Sequence, residues 1–278
     1  MTTKARTMTV VLALLAVVGS LIGVVAAPAA ASTTLSSPPD YVALGDSYSS
    51  GLGAPPFDLD AACQRSSQSY PALWVAEHHP ASFGFVACSG ATTTDVLVNQ
   101  IPALRPDTDL VTITIGGNDA GFAPVLQTCT AAASDQTCIT AVNIAEIFVV
   151  FALPALLGRT YAAIRNAAPH AQVIVLGYPR LFELTANCTD PLAPDLARRT
   201  KLNQGADLLS AVIQTVSSRF GFSFVDVRNR FAGHGVCSTD SWINGPAAPS
   251  AVGPYHPTAT GYRDGYLPAL DAATAAVT

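Results

Sequence analysis

Three short apolar runs, at residues 41–44, 83–87 and 110–115, each hand over to a small or polar residue. They lead into Gly45-Asp46-Ser47, Cys88-Ser89-Gly90 and Gly116-Gly117-Asn118. Two further runs, at 173–176 and 222–227, have the same character. All are short, rich in β-branched or aromatic residues, and apolar at consecutive rather than alternate positions. That pattern belongs to strands covered on both faces. Between them, residues 70–77, 144–166, 196–220 and 258–274 carry helical spacing. Leu202, Leu208, Leu209, Val216 and Phe220 line one such face. Pro154 and Pro268 are expected to break or kink two of these helices. Strands alternating with helices imply a parallel sheet with right-handed crossovers, an α/β fold in one domain.

The chain begins with a targeting pattern. Lys4 and Arg6 precede an almost wholly apolar stretch at residues 8–25, and Ala29-Ala30-Ala31 offers a small-x-small cleavage site. We expect a signal peptide over residues 1–31, cleaved near Ala31, and a mature domain over residues 32–278 that is secreted. The rival is an uncleaved membrane anchor, because the apolar stretch is about long enough to span a bilayer. Gly19, Gly23 and the Ala/Pro-rich end favour cleavage.

Losing Lys4 and Arg6 takes the formal charge from −5 to −7, since the segment holds no acid. An acidic chain is poorly suited to nucleic acid or an anionic surface. Six cysteines, Cys63, Cys88, Cys129, Cys138, Cys188 and Cys237, suit disulfides in an exported protein. Their order alone does not choose among the 15 pairings. No Cys-x-x-Cys occurs, so no metal site is expected. Residues 128–143, 185–194 and 233–254 read as irregular; the first is expected to be a pinned surface loop or a short helical excursion.

Ser47 and His256 lie near opposite ends of the mature chain. A serine at a strand end, delivered to the carboxyl edge of a parallel sheet, sits where open α/β sheets bind ligands. A serine hydroxyl needs an adjacent base to attack a carbonyl, and imidazole is the usual one. His256 precedes Pro257, which favours an extended, fixed residue just before the final helix. His234, in Gly233-His234-Gly235, is the rival base. The attack creates an oxyanion that pre-placed donors must meet. The Ser47 and Gly90 amides and the Asn118 side chain can supply them. Taken singly, each block has a plainer reading as a turn or helix cap. Position 49 is Ser, so the nucleophile elbow of α/β-hydrolases, Gly-x-Ser-x-Gly, is not present.

With all four blocks present in order, the chain resembles the GDSL or SGNH hydrolases, named for the residues that here are Ser47, Gly90, Asn118 and His256. Within that family it is most similar to the secreted actinobacterial lipases and esterases. The resemblance implies a flavodoxin-like three-layer α/β/α sandwich with five parallel strands, and a secreted, cofactor-free carboxylic ester hydrolase. It also implies an oxyanion hole at Ser47, Gly90 and Asn118, and sequential disulfides Cys63–Cys88, Cys129–Cys138 and Cys188–Cys237. Many members carry an aspartate three residues before the histidine; here that position is Gly253. The actinobacterial members orient the imidazole with a backbone carbonyl, which in this chain implies Gly253 or Pro254. Asp240 is the nearest upstream acid and the runner-up partner. Asp46 and Asp119 read as braces or caps.

Leu52, Phe122, Val125, Leu126, Phe182 and Leu184 are expected near an acyl groove. The expected partner is a small-molecule or lipid ester, met by a monomer with transient contact at a lipid interface. Alternatives are a carbohydrate acetyl esterase, with Trp242 as its platform, a phospholipase A, or a catalytically silent secreted binding module.

Overall fold

The computed structural model describes residues 38–275; the expected signal peptide and its cleavage site lie outside them. In chain order the elements are β1 (Asp40–Gly45), α1 (Ser47–Ser50), α2 (Tyr70–His78), β2 (Ser82–Phe85), α3 (Thr93–Asp95), β3 (Leu110–Thr114), α4 (Phe122–Ala131), α5 (Asp135–Phe151), α6 (Leu153–Ala167), β4 (Gln172–Leu176), α7 (Leu196–Arg219), β5 (Ser223–Val225) and α8 (Leu267–Ala275). The five strands form one sheet in the order β2-β1-β3-β4-β5, every pair parallel. That is the doubly wound flavodoxin-like order, with its switch point between β1 and β3. Strands β1 and β3 are central. Residues 41–45 and 110–114 are buried on both faces, which explains their unbroken apolar character.

Local chemistry sets the helix ends. Ser69 caps α2 and Pro71 occupies its first turn. Thr92 and Asp95 form a reciprocal capping box on α3. Asp195 accepts the Arg198 amide at 3.0 Å to start α7. The expected helix over 144–166 is two helices, broken at Ala152, with Pro154 in the first turn of the second. In the expected helix over 258–274, a wide π turn at Gly261–Tyr266 leads into α8, with Pro268 just past the join.

Residues 128–143 take the helical alternative of the sequence reading. They hold the end of α4 and the start of α5. Ser134 caps α5, and Cys129–Cys138 joins the two helices across the turn. Small polar residues disguised helices whose partner faces lie in each other and in α7. The other disulfides are Cys63–Cys88 and Cys188–Cys237, the sequential set.

Two features hold β1 to its neighbours at the point where the chain leaves the sheet. Gly45 has φ +122°, and its α-carbon faces the Thr114 backbone too closely for a side chain. Gln100 spans the Gly45 peptide: its Oε1 accepts the Gly45 amide at 2.7 Å and its Nε2 donates to the Gly45 carbonyl at 2.9 Å. The Cys88 amide donates to the same carbonyl at 3.0 Å, tying the next loop to the same peptide. Because Gln100 is buried, losing its side chain leaves the Gly45 amide unpaired. Gln100→Ala should lower the unfolding free energy by about 1–3 kcal/mol. Urea denaturation followed by circular dichroism reads this; a shift below ~0.5 kcal/mol would mean the clamp contributes nothing.

Candidate active site

The site is built from the ends of β1, β2 and β3 and the loop before α8. At the first, Asp46 is extended and caps α1 by accepting the Tyr48 amide at 2.9 Å. This cap turns the chain sharply, so Ser47 becomes the first helical residue at the sheet's carboxyl edge. The Ser47 hydroxyl donates to His256 Nε2 at 2.7 Å, across 209 residues of sequence. The other ring nitrogen, Nδ1, donates to the Pro254 carbonyl at 2.8 Å. A carbonyl only accepts, so Nδ1 carries the proton and Nε2 presents a lone pair to Ser47. Gly253 and Pro254 therefore divide what either was expected to do. The Gly253 carbonyl takes the His256 backbone amide at 3.3 Å, and Pro254 orients the ring.

Residues that the sequence did not single out hold His256 in place. The Tyr48 ring lies 4.9 Å from the imidazole, and the Tyr48 hydroxyl donates to the Tyr255 carbonyl at 2.6 Å. Asn244 donates to the His256 carbonyl from its backbone, at 2.9 Å, and from its side chain, at 3.1 Å. The same side-chain amide reaches the Gly53 carbonyl at 2.9 Å. Nothing local marks Asn244 for this role: one partner, His256, is 12 residues on, and the other, Gly53, is 191 residues away. Tyr48 had a signal: it abuts Ser47 inside the first block.

Burial in this aromatic setting pushes the His256 pKa down to about 4, with the backbone carbonyls opposing that shift only in part. The same burial pushes the Asp46 carboxyl up to about 7, against hydrogen bonds from Tyr178 and Tyr48. Tyr178 links two blocks, donating to Asp46 Oδ2 while accepting the Gly117 amide at 3.0 Å.

Gly90 adopts φ +82° and nothing lies within 4 Å of where its side chain would be, so this backbone stands open to the pocket. Asn118 Nδ2 donates one hydrogen to the Ala91 carbonyl at 2.9 Å, which fixes the amide and leaves its second hydrogen free to bind. Asp119 accepts from the Thr93 hydroxyl at 2.6 Å and from the Thr93 amide at 3.0 Å, bracing the second block against the third. Ser47, Gly90, Asn118 and His256 line one pocket of about 540 Å³, within the range of small-molecule sites.

Of the residues expected near an acyl groove, Leu52, Phe122 and Leu126 line this pocket. Val125 faces the other side of α4, and Phe182 and Leu184 line a separate depression. His234 is stacked on Trp242 at 3.6 Å and pairs with Asp240 at 3.1 Å. That trio is a self-contained surface arrangement, so Asp240 serves His234 rather than His256. Among the described residues, Glu77, His78 and Asp271 converge closely enough to hold an ion; none lines the pocket.

Residues 43–263 match the GDSL-like Lipase/Acylhydrolase family. A lipase from Streptomyces rimosus is 46% identical over 249 residues, covering 88% of this chain and 91% of its own. Lipase 1 from Streptomyces coelicolor is 44% identical over 234 residues, covering 84% and 86%. The crystal structure of a phospholipase A1 from Streptomyces albidoflavus superposes with a TM-score of 0.81 at 46% identity, covering 85% of this chain and 99% of that one. An extracellular lipase from Streptomyces rimosus gives 0.80 at 46%, covering 84% and 99%.

The Asp46 carboxyl makes stability depend on pH with a definite sign. Its folded pKa lies above its unfolded value of about 3.8, so the folded state holds the extra proton between about pH 4 and 7. Stability from this group therefore falls as pH rises through that window. Asp46→Asn removes the titration, while that of His256 stays common to both proteins. The stability of the wild type relative to the variant should fall by about 2–4 kcal/mol from pH 4 to pH 7.5. Urea unfolding at the two pH values checks this; a difference that stays flat would place the Asp46 pKa at its ordinary value, and one that grows would place it lower still.

Proposed function

The chain belongs to the GDSL-like lipase/acylhydrolase family and is a carboxylic ester hydrolase, and we propose that it cleaves esters with a Ser47–His256 dyad. The hydrogen bond between Ser47 and His256 Nε2, with Nδ1 bound to a carbonyl, carries this reading. Ser47 Oγ attacks the ester carbonyl while His256 Nε2 takes its proton. The Ser47 and Gly90 amides and the Asn118 side chain hold the oxyanion. His256 then returns the proton to the departing alcohol, leaving an acyl group on Ser47. Water attacks that ester while His256 Nε2 takes its proton, the acyl–Oγ bond breaks to release the acid, and His256 returns the proton to Ser47 Oγ. The Pro254 carbonyl keeps the ring in register and bonds the imidazolium that forms twice in each cycle.

Several observations support an acyl-ester substrate. The relatives include lipases and a phospholipase A1. Leu52, Phe122 and Leu126 give the pocket an apolar side. Trp242, the platform a sugar ester would use, is covered by His234 and does not line the pocket. The phospholipase reading keeps its own support in the albidoflavus enzyme. Ile144, Ile147 and Phe151 stand exposed along one face of α5, which suits transient contact with a lipid surface. The n-region, apolar stretch and Ala29-Ala30-Ala31 support export, as does the extracellular lipase of Streptomyces rimosus.

Ser47→Ala should lose about 10⁴-fold or more in kcat, and a serine-directed phosphonate should label only the parent protein, at Ser47. Labelling at Ser49 or Ser50 would overturn the assignment. Asn118→Ala should lower kcat by about 100- to 1000-fold with little change in KM; a drop of only a few-fold would make Asn118 a turn residue. His256 works as a base only when neutral, and its pKa lies near 4 rather than 6.5. The acid limb of kcat/KM should therefore fall near pH 4. A limb centred above pH 6 would mean that water or another group relieves the burial.

A further inference from the structure

Helix α4 separates the catalytic pocket from a second hollow. Phe122 and Leu126 line both. The hollow lies between α4, α5 and α7, has a volume of about 70 Å³, and is walled by Val125, Val142, Ala145, Leu202 and Ala206 among others. Its charged lining residue is Glu146, whose carboxylate is held by Lys201 Nζ at 2.7 and 2.8 Å. Small residues leave the space: Ala145 on α5 and Gly205 and Ala206 on α7 are among its lining. The hollow opens partly to solvent, and its almost wholly apolar lining suits hydrocarbon better than water.

Its position relative to the dyad is the informative point. The Phe122 ring is edge-on to His256, with centroids 6.2 Å apart, and to Tyr48, at 6.1 Å. Tyr178 lines the hollow and lies 5.0 Å from Tyr48 on the opposite side. One aromatic side chain, Phe122, therefore borders both the imidazole and an apolar hollow. We propose that this hollow receives the far end of a long acyl chain whose carbonyl is held at Ser47, with Phe122 as the side chain that swings to admit it. A short acyl group ends within the open pocket and never reaches the wall. The proposal rests on the ester-hydrolase reading above and adds the chain-length selection that reading leaves open. The occupant is hydrocarbon, since the lining gives a polar headgroup no free partner.

Ala145→Leu and Ala206→Leu fill the hollow from opposite walls, and neither residue lines the catalytic pocket. Leucine suits both helices, and two independent variants guard against one that packs badly. The measurement is kcat/KM for p-nitrophenyl butyrate and p-nitrophenyl dodecanoate, with folding checked by circular dichroism. Each variant should keep butyrate hydrolysis within about twofold and lose tenfold or more on dodecanoate, since each displaced methylene is worth roughly 10-fold or more in such pockets. A dodecanoate-to-butyrate ratio within twofold of the parent in both folded variants would overturn the proposal. A parent protein inactive on both esters would instead overturn the ester-hydrolase reading, so the two failures are distinguishable.

Discussion

The Tyr48 hydroxyl donates to the Tyr255 carbonyl at 2.6 Å, closing a loop of 207 residues inside the protein. Each partner is the immediate neighbour of a reactive residue, so this one buried bond fixes how the first block meets the last. The sheet can deliver Ser47, Gly90 and Asn118 to one edge because they end strands that pair with each other or lie one loop beyond. It cannot deliver His256, which follows a long irregular stretch. Tyrosine solves that problem physically: it fills space like a hydrocarbon and carries a polar tip that pairs a distant carbonyl. Tyr262 does the same for Leu52 at 2.9 Å, and Tyr266 for Gly177 at 2.8 Å. Tyr70 stacks on Tyr266 with centroids 5.4 Å apart, packing this set into one aromatic layer beneath the dyad.

That layer sets the electrostatics as well as the geometry. It removes water from His256 and Asp46 alike, and burial penalises whichever form is charged. The base is driven down and the acid up, for the same reason and in opposite directions. A carboxylate beside His256 would stabilise its charged form and raise its pKa. With the Pro254 carbonyl in that place, the ring stays neutral over a wide pH range and is always ready to accept a proton. In the proposed reaction the imidazolium would then have less support than a carboxylate would give. The arrangement favours readiness of the base over stabilisation of its charged state.

The sequence made the sheet legible because a doubly buried strand advertises itself in consecutive apolar residues. It made the four blocks legible because each is a short local signature. It left residues 128–143 open between a pinned loop and a helical excursion, because Ala, Ser and Thr in α4 and α5 are helical through packing and the Cys129–Cys138 link rather than through strong amphipathic spacing. It was silent on Gln100, Tyr178 and Asn244. Their partners are 55, 61 and 191 residues away, at Gly45, Gly117 and Gly53. No window along the chain contains both ends of such a contact. The choice between Gly253 and Pro254 was hidden for a related reason: it depends on the direction of a carbonyl, which is set by the turn and not by the residue type.

These long-range ties share a logic that explains why the irregular stretches can carry function. Gln100 clamps the peptide before the nucleophile turn, Tyr178 joins that turn to the third block, and Asp119 joins the third block to the second. Each tie uses one side chain to satisfy backbone or carboxylate groups that the sheet edge leaves unpaired. The pocket is therefore ordered by the same bonds that keep buried polar groups satisfied. The apolar side of the pocket is under a different rule. Phe122, Val125 and Leu126 are apolar side chains of α4 that make no such bonds, although the helix itself is tied to α5 by Cys129–Cys138, and the hollow beside them leaves room for side chains to move. A rigid polar half for the reacting carbonyl and an adaptable apolar half for the chain attached to it follow from how each half is held.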